Sequence, residues 1–214
     1  MVMEKASAKR RVWPALMLVT ALLTACGGGG HNLPAASGSA SSSAPTVSLP
    51  DVPPPSPDCK GSVKAHEDIP HPSLGTVRLF LILDSNAAGP KVGCVAAVAS
   101  NGKVLPTITV DVGGSSFNFA NPVTDSTGNA FVTYNPGRYD GVLVLVPTPD
   151  GFQDIGWGDT HYEGKRAYYY ANLEGPGPNG QYTIRQFNND CTPSCAGGTV
   201  TSQVLQWNGT DYVP

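Results

Sequence analysis

Short β-rich runs, separated by turn residues, dominate the sequence beyond its first quarter. Residues 76–83 and 141–147 are rich in Val, Leu and Ile, which is typical of buried strands. Asn101-Gly102 and Asn208-Gly209 each stand between two such runs and predict hairpin turns. Convincing amphipathic helical spacing is scarce. The pattern therefore predicts a mainly β fold, an antiparallel sandwich or an open barrel-like sheet, with short helical turns near residues 154–162.

The cysteines add a covalent constraint to this fold. Four of the five, Cys59, Cys94, Cys191 and Cys195, lie in the β-rich part. An even number in an oxidising compartment indicates two disulfides. Among the three pairings we favour Cys191–Cys195, which closes a tight loop, with Cys59–Cys94, which pins the start of the domain to a strand. A zinc site is the alternative, and it is disfavoured because Cys59 and Cys94 do not form a second closely spaced ligand pair.

The first 57 residues differ from the rest in composition. Four glycines occupy positions 27–30, residues 37–43 are entirely Ser, Gly and Ala, and prolines cluster at 53–57. Such a segment buries too little apolar surface to offset the entropy of ordering it. We expect three regions: a signal peptide at 1–25, a flexible tether at 26–57, and one domain at 58–214, a size that supports its own core.

The N-terminal residues have the pattern of an export signal. Basic residues at positions 5–11 precede an apolar run at 12–23, which is shorter than a spanning helix requires. The run ends in Leu23-Thr24-Ala25-Cys26-Gly27, which resembles the bacterial lipobox. The resemblance implies cleavage before Cys26 and attachment of lipid to its sulfur. The alternative is an ordinary secretory signal. We expect a chain anchored by lipid to the extracytoplasmic face of the cell membrane.

The charge of the domain and two absent motifs narrow the range of possible functions. Residues 58–214 contain nine basic and 14 acidic residues, which argues against a nucleic-acid partner. The sequence has neither the Gly-x-Ser-x-Gly elbow of a hydrolase nor a phosphate-binding Gly-Lys-Ser/Thr loop. No cofactor is expected. The remaining partners are the membrane, through the lipid anchor, and an envelope ligand or protein of unknown identity.

Two segments carry candidate ligand-binding side chains. In the turn at residues 135–141, Arg138 either anchors a ligand or forms a structural salt bridge with Asp140. The tyrosines at 168–170 alternate between the faces of a predicted strand, so that Tyr168 and Tyr170 share one face. With Trp157 and Trp207 they form either an aromatic platform for sugar or peptide, or a core with amphipathic rims.

Carboxylates gather around Trp157. Asp154, Asp159 and Glu163 surround this tryptophan, and His161 lies two residues from Asp159. Paired carboxylates beside an aromatic are the chemistry of glycoside hydrolysis, and a histidine next to an aspartate is a candidate base. No further catalytic partner has a diagnostic spacing, so ordinary surface-loop residues are the favoured interpretation. His161 also counts among the candidate ligand-binding residues.

Two further segments contain oxygen and nitrogen ligands for metals. His66 and His71 are five residues apart with Pro70 between them, which rules out the helical zinc motif. A polar surface loop before the strand at residue 76 is the favoured interpretation. Residues 121–129 resemble a calcium loop only in composition, and an Asx-type turn explains them better. No metal site is therefore predicted.

Several segments carry a resemblance to a known family. They are Tyr134-Asn-Pro-Gly-Arg-Tyr-Asp-Gly141, Leu145-Val-Pro147, and the tail running from Asn189-Asp-Cys-Thr-Pro-Ser-Cys195 to Gln206-Trp-Asn-Gly209. With the lipobox and the tether, they resemble uncharacterised actinobacterial lipoproteins. The paired cysteines followed by a Trp-Asn-Gly turn are similar to the C-terminal part of the LppP/LprE lipoprotein family. The resemblance implies no assigned catalytic residue.

Three hypotheses follow for the role of the domain. The favoured one is a non-enzymatic binding domain of a surface lipoprotein, with Arg138, Trp157, His161, Tyr168 and Tyr170 as candidate ligand contacts. The alternative is an envelope glycan hydrolase that uses Asp154, Asp159 and Glu163. The third is a purely structural coat protein. Enzymatic activity is the less favoured interpretation, because no motif supplies a complete catalytic set.

Overall fold

Twelve strands make up the regular structure of the part of the chain that is described. The computed structural model describes residues 48–84, 92–112, 116–135, 137, 140–155 and 170–214. Within these ranges the strands form three four-stranded sheets, all paired antiparallel, and no helix is present. No helix in the same ranges is therefore long and apolar enough to cross a membrane. The helical turns predicted near residues 154–162 fall mostly outside the described residues.

Each sheet is a meander of four consecutive strands. The first sheet contains β1 (Ser62–His71), β2 (Gly75–Leu83), β3 (Val92–Ala99) and β4 (Ile108–Asp111). The second contains β5 (Phe117–Thr124), β6 (Ala130–Tyr134), β7 (Gly141–Thr148) and β8 (Gly151–Asp154). The third contains β9 (Tyr170–Glu174), β10 (Thr183–Asn189), β11 (Val200–Trp207) and β12 (Tyr212–Val213). Short connections between neighbouring strands are typical of such meanders.

The second sheet is buried on both faces, which arranges the sheets in three layers. Successive residues of a strand point to opposite faces. On β6, Val132 and Tyr134 join the core shared with the first sheet, whereas Phe131 joins the core shared with the third. On β7, Leu143 belongs to the core shared with the first sheet and Val144 to the core shared with the third. This packing confirms the predicted antiparallel sandwich, with the second sheet as its middle layer.

The segment before β1 contacts the face of the first sheet that points away from the second sheet. That face has its own small apolar cluster, which contains Phe80, Ile82, Cys94 and Ala96, and Cys59 packs against it. The Arg78 guanidinium bonds to the Leu49 and Pro50 carbonyls at 3.4 and 3.2 Å. Because Leu49 and Pro50 belong to the predicted tether, the last part of that segment has specific contacts with the sheet.

Both predicted disulfides are confirmed. Cys59 and Cys94 are bonded, with their Cα atoms 5.7 Å apart, and they join the segment before β1 to β3. Cys191 and Cys195 are bonded across the turn between β10 and β11. The hairpin turn predicted at Asn208-Gly209 is also present, since the Asn208 amide donates to the Asp211 carbonyl at 3.0 Å.

The segment that contains His66 and His71 is strand β1, so its interpretation as a surface loop was wrong. β1 is an edge strand that pairs only with β2 among the described strands. Its exposed residues conceal the apolar periodicity, because only Ile69 and His71 are buried. An edge also tolerates Pro70, which has no backbone N–H to donate.

Candidate functional site

Most of the predicted site residues lie outside the described part of the chain. This applies to Cys26, Arg138, Trp157, Asp159, His161, Glu163 and Tyr168. Tyr170 begins β9, and Asp154 ends β8, where it is exposed and pairs in register with Leu145. Asp140, the predicted partner of Arg138, accepts a hydrogen bond from the side-chain amide of Asn135 at 3.2 Å. Among these described candidates, Tyr170 lies on the third sheet.

The third sheet has one apolar face and one mixed face. Ala171, Ile184 and Leu205 belong to the core beneath the sheet. Their neighbours in sequence point away from that core because side chains alternate along a strand. We call the resulting surface the outer face; on β9 to β11 it is formed by Tyr170, Asn172, Glu174, Thr183, Arg185, Phe187, Val204 and Gln206. It combines aromatic rings with amides, a hydroxyl and two charges.

Two cross-strand contacts organise the outer face. Tyr170 pairs in register with Phe187, and their rings stack with centroids 4.1 Å apart and planes 14° apart. Further along the strands, Arg185 donates from Nε and Nη2 to the Glu174 carboxylate at 2.6 and 3.1 Å. This hydrogen-bonded pair raises the pKa of Arg185. Because the contact is bidentate, each charge is largely compensated by the other.

A cavity of about 350 Å³ opens at the end of the third sheet that carries Glu174. Three sheet residues on different strands line it: Glu174 on β9, Thr183 on β10 and Gln206 on β11. Trp207 supplies aromatic surface, and Tyr182, whose ring is buried in the core, also borders the cavity. The rest of the wall is the β9–β10 connection, with Gly175, Gly177, Pro178, Asn179 and Gln181. We call this space the Trp207 cavity.

Trp207 is held in place by the last hairpin of the chain. It is the final residue of β11 and pairs in register with Tyr212 on β12. The two rings are tilted against each other, with centroids 5.5 Å apart. Trp207 is only partly buried, and it also packs against the core between the second and third sheets. One side of the indole is thus supported by protein, while the residue contributes to the cavity wall.

The β9–β10 connection has its own hydrogen-bond network. The Gly177 amide donates to the Gln181 carbonyl at 2.9 Å, and the Gly180 amide donates to the Gly177 carbonyl at 2.8 Å. The Asn179 side chain accepts from the Gln181 amide and donates to its Oε1, at 3.1 and 3.0 Å. Gly175 has φ +105°, a conformation that L side chains rarely adopt. These constraints define the wall of the cavity.

Asp125 fastens this connection to the second sheet. One carboxylate oxygen accepts from the Tyr182 amide at 3.2 Å, and the other accepts from the Thr127 amide at 2.9 Å and from the Thr127 hydroxyl. The second contact is the Asx-type turn expected in residues 121–129. Burial, together with the Asp125 charge, raises the pKa of Tyr182 and of Tyr212. Asp125 therefore has a structural role beside the cavity.

Of the residues of the predicted aromatic platform, the structure describes Tyr170 and Trp207, and these two lie at opposite ends of the third sheet. Tyr170 stacks on Phe187 at one end of the third sheet, whereas Trp207 contacts Tyr212 beside the cavity. Glu174, Thr183 and Gln206 were not among the predicted site residues. The Asn208-Gly209 turn signalled that β11 ends near Gln206, but only the pairing of three strands shows that Glu174 lies at the same end.

Two other cavities are less well defined as candidate sites. One, of about 550 Å³, lies between the edge strands β1 and β5 and is lined by Ala65, Glu67, Asn118, Phe119, Ala120, Asn121 and Val123. The other, of about 350 Å³, adjoins Asp140 and borders residues that are not described. In the described ranges, no group of three or more His, Cys, Asp or Glu side chains is arranged to hold a metal. The Trp207 cavity is thus the best-defined candidate.

Comparisons with known proteins add no relative. No family model, no curated protein and no solved structure matches the chain. The resemblance to the LppP/LprE lipoproteins stays a prediction from sequence.

Proposed function

We propose that this chain is a lipid-anchored protein of the cell envelope whose domain binds a ligand outside the cytoplasm. The apolar run and lipobox pattern that end at Cys26 support the anchor. The two disulfides fit an oxidising compartment, where such bonds persist. Lipid on Cys26 would hold the domain at the extracytoplasmic face of the cell membrane.

Metabolic labelling tests the anchor. Cells that express the full chain and are supplied with labelled palmitate should incorporate label into the protein, and a Cys26→Ser variant should not. Fractionation should place the unaltered chain with membranes. Equal labelling of both forms would overturn the assignment of Cys26.

The binding role is carried by the Trp207 cavity. Its volume of about 350 Å³ lies within the range of about 300–1,000 Å³ that is typical of small-molecule sites. Aromatic and polar side chains from three strands converge on it, and Asp125 fastens its loop to the neighbouring sheet. A preformed wall of this kind lowers the ordering cost of binding.

A sedimentation assay with isolated envelopes tests this role. The full chain carrying Cys26→Ser, which has no lipid, should co-sediment with envelopes of the cells that produce it. Trp207→Ala should reduce the bound fraction, and Trp207→Phe should retain most of it. Val200→Ala is the matched control, because Val200 is exposed on the same strand, away from the cavity. If Trp207→Ala bound as well as the control, the cavity would not be the ligand site.

The hydrolase alternative would use Asp154, Asp159 and Glu163. Asp154 is exposed at the end of β8, an edge strand among the described strands, whereas Asp159 and Glu163 lie outside the described part of the chain. If Asp159→Ala and Glu163→Ala leave every glycan-hydrolysing activity of the purified protein unchanged, this alternative fails.

A further inference from the structure

We infer that the Trp207 cavity binds an uncharged sugar ring of an envelope glycan. This inference depends on the proposed binding role and adds the class of ligand. It is based on the size of the cavity, on the unused hydrogen-bonding groups in its wall, and on its charge. Each of these properties belongs to described residues.

The size of the cavity favours one ring-sized unit. Its volume of about 350 Å³ is close to the lower limit of about 300 Å³ for small-molecule pockets. The wall offers an indole from Trp207, whereas the ring of Tyr182 is buried against Phe131 and its hydroxyl donates to the Pro122 carbonyl. An indole presents a large apolar surface with a polar tip. A sugar ring has matching chemistry, with C–H groups on its faces and hydroxyls around its edge.

Three polar groups of the wall have no hydrogen-bond partner within the described part of the chain. They are the Thr183 hydroxyl, the side-chain amide of Gln206 and the Trp207 indole N–H. A hydroxyl and an amide both donate and accept hydrogen bonds, whereas an indole only donates. Hydroxyls of a sugar also donate and accept, so that they can satisfy all three groups together.

The charge of the wall disfavours the ionic classes of ligand. Among the described residues, Glu174 is the only charged one that lines the cavity. Arg185 neutralises Glu174 through its bidentate contact, which leaves little net charge to attract either a cation or an anion. No Lys or Arg lines the described wall. An uncharged, hydroxyl-rich ligand is the class that these groups can satisfy without leaving a charge unpaired.

Isothermal titration calorimetry with defined oligosaccharides tests the ligand class. The probes are uncharged oligomers of hexoses and of N-acetylhexosamines, uronic-acid oligomers of equal length, and an unrelated peptide. The full chain carrying Cys26→Ser should bind at least one uncharged oligomer and should not bind the acidic oligomers or the peptide. Gln206→Ala should weaken binding about threefold or more, and Trp207→Ala about tenfold or more.

The controls separate a local effect from misfolding. Gln206 is exposed, so its truncation should leave the thermal transition unchanged even if Trp207→Ala lowers it. Gln203→Ala removes the same amide from an exposed position elsewhere on β11 and should bind as the unaltered chain does. Trp207→Phe should restore most of the affinity lost in the alanine variant.

The outcomes distinguish this inference from the proposed binding role. If envelopes retain the protein through Trp207 but no uncharged oligomer binds or competes, the binding role stands and the sugar inference is wrong. Binding of uncharged oligomers that is equal in Gln206→Ala, Trp207→Ala and the control would place the sugar elsewhere and also overturn the inference. If neither envelopes nor oligomers bind, both proposals fall.

Discussion

Both ring nitrogens of His71 have backbone partners. Nε2 lies 2.9 Å from the Gly151 carbonyl, and Nδ1 accepts from the amides of Ser73 and Leu74, each at 3.2 Å. This pattern fits the tautomer that carries the proton on Nε2. The ring also meets Phe152 edge to face, with centroids 5.0 Å apart. His71 therefore joins the β1–β2 turn of the first sheet to β8 of the second.

Truncating His71 should destabilise the domain. His71→Ala removes a buried ring and leaves the Gly151 carbonyl without its donor, which we expect to lower the free energy of unfolding by about 2–4 kcal/mol. His66 is exposed on the same strand, so His66→Ala should change it by less than about 0.5 kcal/mol. Urea unfolding of both variants measures the difference. Equal losses would refute the structural role of His71.

Asp68 should make the stability of the domain sensitive to acid. Its carboxylate accepts from Nε and Nη2 of Arg78 at 2.6 and 2.8 Å, and this hydrogen bonding lowers the pKa of Asp68. Because folding lowers the pKa, the contribution is complete above the unfolded value of about 3.9 and is lost as the pH falls toward the folded value.

Unfolding curves measured between pH 2 and 7 test the Asp68 prediction, because this range includes the unfolded pKa of about 3.9. Asp68→Asn should be less stable than the unaltered chain at neutral pH and should lose less stability on acidification. Asp150→Asn is the control, since its carboxylate is 94 % exposed. An unchanged pH dependence in Asp68→Asn would contradict the role of the Arg78 contact.

At the scale of elements, predicted strands were confirmed where burial gives a clear pattern. Residues 76–83 lie within β2 as predicted, and the apolar run at 141–147 lies within β7. β1, β5 and β8 were missed, each for a physical reason. β1 is a mostly exposed edge strand, β8 has four residues, and β5 passes through Asn121-Pro122, where its pairing with β6 is irregular. Local sequence describes such strands poorly because their contacts, not their composition, make them strands.

Arg78 holds the segment before β1 against the first sheet. Besides its contacts with Asp68 and two backbone carbonyls, Nη1 of Arg78 bonds to the Asp51 carboxylate at 2.7 Å. We expect Arg78→Gln to release residues 48–57, and Arg78→Lys to release them in part, because a lysine ammonium cannot reproduce the guanidinium fork. Hydrogen exchange in these residues should be slowest in the unaltered chain, faster in Arg78→Lys and fastest in Arg78→Gln.

Arg185→Gln is the matched control for the Arg78 prediction. It removes a comparable bidentate contact, that with Glu174, on the third sheet. It should leave exchange in residues 48–57 unchanged. Unaltered exchange in Arg78→Gln as well would mean that Arg78 does not hold the segment.

At the scale of the whole molecule, the two disulfides should contribute unequally. Cys59 and Cys94 are 35 residues apart, whereas Cys191 and Cys195 are four apart. In the loop-entropy account, the longer loop contributes about 4 kcal/mol and the shorter about 2 kcal/mol. Replacing the Cys59–Cys94 pair by alanines should therefore lower the free energy of unfolding more than replacing the Cys191–Cys195 pair. Chemical denaturation of both double variants measures this, and the reverse order would contradict the prediction.

The local features of this protein follow from the amino-acid sequence alone. Alternating or continuous β-rich runs defined most strands, Asn-Gly pairs defined two hairpin turns, and the count and spacing of the cysteines favoured the pairing that is observed. These signals are local, because side-chain alternation and turn chemistry depend on a few neighbouring residues.

The arrangement of the layers and the cavity depends on contacts between distant parts of the chain. The second sheet became the middle layer because both of its faces found apolar partners. The Trp207 cavity requires Glu174, Thr183 and Gln206 to meet at one end of a sheet, and its loop is fastened by Asp125, which lies 57 residues from Tyr182 in sequence. Contacts over such separations depend on the packing of whole sheets, and the pattern of a short segment does not contain that information.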